Sequence, residues 1–149
     1  MVVNNFRKIM AGILSNGAST EVTHTDNTIY SYIANRFMPY QYGTSTSNQN
    51  GYIAIGSGNT APTINDVSLE SEITGLNNIG NFVNNGVNGL TISATITNVT
   101  NSDITIKEYG LYGYQSVDSK WTMLTRTVLD SPITLEAGEI ATITININF

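Results

Sequence analysis

From Leu90 to the end the chain alternates apolar and hydroxyl or amide residues with a period of two, and no other feature limits its fold so tightly. Leu90-Thr91-Ile92-Ser93-Ala94-Thr95-Ile96-Thr97 sets the pattern and Ile104-Thr105-Ile106 repeats it. At the end, Ile143, Ile145, Ile147 and Phe149 face one way and Thr142, Thr144, Asn146 and Asn148 the other. A side chain that returns to the same face every second residue belongs to a strand with one face buried and one in water. Asn101-Ser102-Asp103 reads as a turn, which predicts a hairpin of 90–97 with 104–106. Further strands are expected at Ile29–Ala34 and Trp121–Leu129, the latter after a 115–120 loop, with Glu136-Ala137-Gly138-Glu139 preceding the last strand. Tyr40-Gln41-Tyr42 is a shorter candidate. Strands at such spacing, with one helix at the start, predict a mainly β fold: an antiparallel β-sandwich of Greek-key or jelly-roll type.

The helix is expected near the N-terminus, where Phe6, Ile9, Met10, Ile13 and Leu14 recur at helical spacing and form one apolar stripe. Asn4 or Asn5 would cap its start, and Ser15-Asn16-Gly17 supplies the glycine expected past its end. Residues 1–17 thus form a helical element and 18–149 a single β domain. The stripe either lies on its own domain or docks on a neighbouring subunit. Thr44–Asn50 has nothing apolar to bury and reads as an exposed loop. Asn77–Gly89 reads as a long ordered loop pinned by Ile79, Phe82 and Val83.

Composition excludes several partners. Charged residues make up 11% of the 149, against about 25% in ordinary soluble domains. Six Lys and Arg against eleven Asp and Glu give a net charge of -5, with no basic cluster for nucleic acid or an anionic membrane. No apolar run is long enough for membrane insertion, and no secretory signal is evident, so synthesis in the cytoplasm is expected. The chain has no cysteine, which removes disulfides, thiolate metal sites and a Cys nucleophile.

Gly56-Ser57-Gly58 after the strand-like Tyr52–Ile55 raises the question of a phosphate loop. No third glycine or Gly-Lys-Ser/Thr follows, and Pro62 turns Ala61 away from helical geometry. Gly56 and Gly58 are read instead as residues that let the chain turn sharply at a sheet edge. His24 is the only histidine, in a polar stretch without motif, and is expected at the surface. Asp66, Glu70 and Glu72 match no calcium loop, and are expected to flank a turn and a short helix capped by Asp66. Tyr40, Tyr42, Tyr52, Tyr109, Tyr112 and Tyr114 suit either half-buried strands or a sugar-binding platform. Strict alternation from Ile106 would aim Glu108 into the core, where a lone carboxylate is costly. Either a bulge marked by Gly110 turns it outward, or it accepts hydrogen bonds from backbone N–H groups or Arg126. No motif implies a cofactor, a metal or catalysis.

Two segments together resemble small bacteriophage virion proteins of the tail-fibre, collar-like and head-decoration kind. The first runs from Tyr52 through Gly56, Gly58 and Pro62 to Asp66, Leu69, Glu72 and Ile73. The second is Ile104 to Tyr112, with Glu108-Tyr109-Gly110-Leu111, then Met123-Leu124-Thr125-Arg126, Pro132-Ile133 and Gly138-Glu139. Order and spacing agree over about residues 52–149. The resemblance implies a non-enzymatic structural subunit of the virion with a β-sandwich body, acting as a homo-oligomer among other virion proteins. The length fits a head decoration or a neck or tail adaptor better than a complete fibre. The alternative is a carbohydrate-binding module that meets a host-surface glycan through its tyrosines and loops.

Overall fold

The computed structural model describes residues 1–14, 19–33, 51–76, 81–84, 90–115 and 119–147. One helix, α1 (Asn4–Leu14), precedes β1 (Ser19–Thr23), β2 (Ile29–Ile33), β3 (Gly51–Gly56), β4 (Asn81–Asn84), β5 (Leu90–Thr97), β6 (Ile104–Gln115), β7 (Lys120–Leu135) and β8 (Ile140–Ile147). All strand pairings among the described residues are antiparallel. The sheets have the orders β1-β2, β3-β6-β7 and β4-β5-β8, and none closes into a barrel among the described residues.

The mainly β expectation holds, and the alternation in β8 is observed: Ile145 and Ile147 are buried while Thr142, Thr144 and Asn146 are exposed. The expected hairpin is not. β5 pairs with β4 and β8, whereas β6 pairs with β3 and β7, so residues 98–103 cross from one sheet to the other. Asn98 organises this crossing. Its fully buried amide donates to the carbonyls of Ser102, Leu135 and Glu136 at 3.0, 2.9 and 3.0 Å and accepts from Thr100 N and Oγ1. Its backbone bonds Glu139 and Gly138, so the crossing from β7 to β8 is tied to the same residue. The 77–89 stretch, expected as a loop, contains β4, which pairs with β5; residues 77–80 and 85–89 lie outside the described residues, as do Tyr40–Tyr42 and Thr44–Asn50.

The core lies where the two three-stranded sheets meet. Ile53, Leu111 and Leu124 from one sheet share a cluster with Ile92, Ala94, Ile145 and Ile147 from the other. Ile55, Ile106 and Leu135 do the same with Ile96. Apolar burial stabilises by about 25 cal/mol per Å², so these side chains dominate the favourable side of folding.

Helix α1 is joined to this core. Ile9 is buried in it beside Val22 of β1 and Leu124 of β7, with Phe6 packed against the cluster. Of the candidate subunit-contact stripe, Ile9 is taken up by the chain's own core; Phe6 and Met10 are half-buried, and the side chains of Ile13 and Leu14 lie outside the described residues. The capping expectation is corrected too. The Val3 carbonyl accepts the first helical bond, from Arg7 N. Asn5 is buried and engages both backbone groups of Thr23, at 2.7 and 2.9 Å.

Candidate functional site

The outer face of the β3-β6-β7 sheet is set by a change of register. Ile106 pairs with Ile133, but Glu108 pairs with Val128, so β7 carries extra residues at this point. Directly opposed residues share a face. Glu108 opposes Gly56, Tyr109 opposes Ile55, and Ile106 packs in the same cluster as Ile55. The irregularity therefore moves Glu108 to the face opposite Ile106. That face is covered by residues 57–76, so Glu108 remains fully buried. The second expectation for Glu108 holds, since backbone N–H groups and Arg126 bond its carboxylate; of the first, the register shift exists but does not send Glu108 to water. Gly110 does not mark the shift. It sits in regular register between Ala54 and Arg126, where a Cβ would come within 3.0 Å of the Thr125 carbonyl.

Four donors meet the Glu108 carboxylate. Oε1 accepts from Gly58 N at 3.2 Å and Ser71 N at 2.9 Å. Oε2 accepts from Glu70 N at 3.3 Å and Arg126 Nε at 2.8 Å. A carboxylate has about four lone-pair sites, so its acceptor capacity is filled. The buried Arg126 guanidinium then reaches Asp66 Oδ2 through Nη1 at 2.8 Å and the Thr60 carbonyl through Nη2 at 3.2 Å, with Glu70 Oε2 at 3.5 Å. Asp66 and Glu70 are held in turn. Asp66 accepts from Thr63 N and Oγ1, and Glu70 from Thr60 N and Oγ1. The short helix expected after Asp66 is absent; Thr63–Asp66 is a hydrogen-bonded turn.

The charges move accordingly. Burial pushes Asp66 up, but hydrogen bonds from Arg126 and Thr63 outweigh it and hold the carboxyl below its usual range. The Thr60 hydroxyl and amide lower Glu70. Burial alone would lower Arg126, yet its bonds to Asp66 and Glu108 raise it, so it stays charged. Glu72 is raised, by burial and by the neighbouring Glu108 charge.

Gly56 and Gly58 serve close approach rather than a turn through unusual backbone angles. Among the described glycines only Gly75 and Gly138 have positive φ. A Cβ on Gly56 would stand 2.6 Å from both Glu108 Oε1 and the Ser71 carbonyl, and one on Gly58 2.5 Å from Glu108 Oε1 and Glu70 Cβ. The Gly-x-Gly segment does cradle an anion, and the anion is the protein's own Glu108. Pro62 lies half-buried in the covering segment, and Leu111 is in the core between the sheets. The segment is also stitched to the β3 edge, with Ser57 N on Ser71 O at 2.8 Å, Ile73 N on Ile55 O at 2.8 Å, and a bridge from Gly56 to Glu72.

Three tyrosines and Trp121 pack against one another. Tyr52 stacks on Tyr112 at 5.0 Å and meets Trp121 edge-on at 4.6 Å, while Tyr114 lies 4.8 Å from Trp121. The Tyr112 hydroxyl accepts from Leu69 N at 2.9 Å, a further pin on the covering segment with no local sequence signature. Tyr109 packs against the core. Tyr40 and Tyr42 lie outside the described residues.

His24 is fully buried, contrary to the surface expectation. Its Nδ1 lies 2.9 Å from Thr122 Oγ1 and 3.3 Å from the Trp121 carbonyl, and its backbone closes the β1-β2 turn through Thr28 and Asn27. An imidazole with polar partners is tolerated inside a sheet corner, and polar neighbours in sequence do not reveal this. Among the described residues no three His, Asp or Glu come together as a metal site, and no helix is long and apolar enough to cross a membrane. No family model, curated protein or solved structure matches the chain.

Proposed function

We propose that this chain is a non-enzymatic structural subunit of a bacteriophage-type virion, a head decoration or a neck or tail adaptor, acting through symmetric association with its own copies and other virion proteins. One observation carries the reading. The two segments that resemble virion proteins, near 52–73 and 104–126, converge on a single clamp in which the buried Glu108 and Arg126 meet Asp66 and Glu70 at the surface. Its groups are committed to one another: Glu108 is saturated by four donors, and Arg126 is spread over three carboxylates and a carbonyl. Such an arrangement fixes a loop on a sheet and favours a rigid building block over a group that exchanges protons with a substrate. The body is proposed to be a β-sandwich of Greek-key or jelly-roll type, a reading supported by the two inter-sheet crossings at Asn98 and by the core shared between sheets. A surface of hydroxyls and amides with few charges suits hydrogen bonding to neighbouring subunits.

Quantitative mass spectrometry of sedimenting particles from cells that make this chain tests the proposal. The chain should appear at a fixed ratio to the other particle proteins. Its absence from particles that otherwise assemble would end the reading.

A further inference from the structure

The molecule covers the edges of the β3-β6-β7 sheet with its own chain. Residues 1–3 run along β7, with Val3 N on Leu124 O at 3.1 Å, Arg126 N on Met1 O at 2.9 Å and a bridge between Val2 and Thr125. Residues 71–73 run along β3, as described above. The β4-β5-β8 sheet differs. β4 is a short edge of four residues, and short edges resist further pairing. β8 is eight residues long, Ile140-Ala141-Thr142-Ile143-Thr144-Ile145-Asn146-Ile147, and among the described residues pairs on one side, with β5. Along its other side no described residue is hydrogen-bonded to it. It contains no Lys, Asp, Glu, Pro or Gly, none of the devices by which an edge strand repels a new partner.

We propose that the edge of β8 opposite β5 pairs antiparallel with β8 of a second copy of this chain, joining two three-stranded sheets into one of six. The inference deepens the assembly reading, from which it takes the expectation that copies associate. Three features select a second copy as the occupant. A two-fold antiparallel pairing centred on any residue of the strand opposes positions of the same parity, so Ile143, Ile145 and Ile147 meet only inward-facing partners. Ile140, Thr142, Thr144 and Asn146 meet outward-facing ones, and both faces of β8 continue unbroken across the seam. The outward face of the sheet is already a ladder of this kind, with Thr91 Oγ1 on Asn146 Oδ1 at 2.8 Å and Ser93 Oγ against Thr144 Oγ1 at 3.1 Å. Finally, two chains of net charge -5 repel least where neither carries charge, and β8 has none.

The absence of cysteine makes a direct test available. Three paired variants, Ile140→Cys with Thr142→Cys, Thr142→Cys with Thr144→Cys, and Thr144→Cys with Asn146→Cys, cover the centres of the strand. Each is oxidised and run without reductant, with Thr95→Cys on β5 as control. Opposed positions in an antiparallel pair have Cβ atoms about 4.5–5.5 Å apart, within reach of a disulfide after small adjustment. The expected result is a cross-linked dimer from at least one pair and none from Thr95→Cys. Thr144→Lys, exposed on the outer face, should reduce the mass in sedimentation from two chains to one with an unchanged circular dichroism spectrum. A monomeric parent chain overturns the inference. So does an oligomer that yields no cross-link at β8, a result that leaves the virion reading standing. Cross-linking at β8 in a chain absent from particles would support the interface and remove the virion reading.

Discussion

Glu108→Gln is the sharpest perturbation of the clamp, because it keeps the shape and removes the charge. An amide nitrogen placed at Oε1 would face the N–H groups of Gly58 and Ser71; placed at Oε2 it would face Glu70 N and Arg126 Nε. Either way two donors lose their acceptor and confront a third. Breaking a buried ion pair costs about 3–5 kcal/mol, and stranded buried donors cost about 1–3 kcal/mol each, part of the same loss. A total of about 3–5 kcal/mol is expected, which for a chain of this length lowers the melting temperature by on the order of 10–15 °C. Urea unfolding with linear extrapolation measures the loss, and hydrogen exchange localises it. Protection should fall at Gly58, Glu70 and Ser71 first, since Glu108 accepts from their amides. A loss below about 1 kcal/mol, with those amides still protected, would mean that Glu108 is solvated and the clamp does not hold the segment.

Gly56→Ala and Gly58→Ala should each destabilise by about 1–3 kcal/mol through overpacking, with Gly56 the less able to adapt because its Cβ meets the Ser71 backbone; equal stability in chemical denaturation would refute the close approach. Asn98→Asp should cost at least about 2 kcal/mol, because a carboxylate would face the carbonyls of Ser102, Leu135 and Glu136; calorimetry showing no change would remove Asn98 as the tie between crossings. Acid should loosen the clamp. Asp66 and Glu70 have folded pKa values below their unfolded ones, so their stabilisation is present above about pH 4 and is lost as pH falls through the lowered folded values. Stability that stays level from neutral pH to pH 2 would contradict this assignment.

The sequence carried the strands more faithfully than their partners. Period-two alternation located β5 and β8, because one-sided burial is written locally in each strand. Partner choice is not local. Asn101-Ser102-Asp103 does turn the chain, but the buried Asn98 amide directs it to the other sheet, and two of its three acceptors lie far off in sequence, at Leu135 and Glu136. β4 has no such signature, because four residues in an Asn- and Gly-rich stretch carry too little periodicity. At the clamp, the cost of burying Glu108 was legible, and so were Arg126 and backbone N–H groups as its partners. The donors Gly58, Glu70 and Ser71 were not, since main-chain groups have no sequence signature. For the same reason Gly56 and Gly58 were read as turn formers when their role is to leave room for a carboxylate fifty residues further on. His24 was misplaced because its Thr122 partner is distant in sequence.

The proposed function is tested most directly by electron microscopy of particles that carry a labelled version of this chain. The account predicts label at symmetry-related positions on head, neck or tail, in constant number per particle. Label that stays in the soluble fraction, with complete and unlabelled particles beside it, would contradict it.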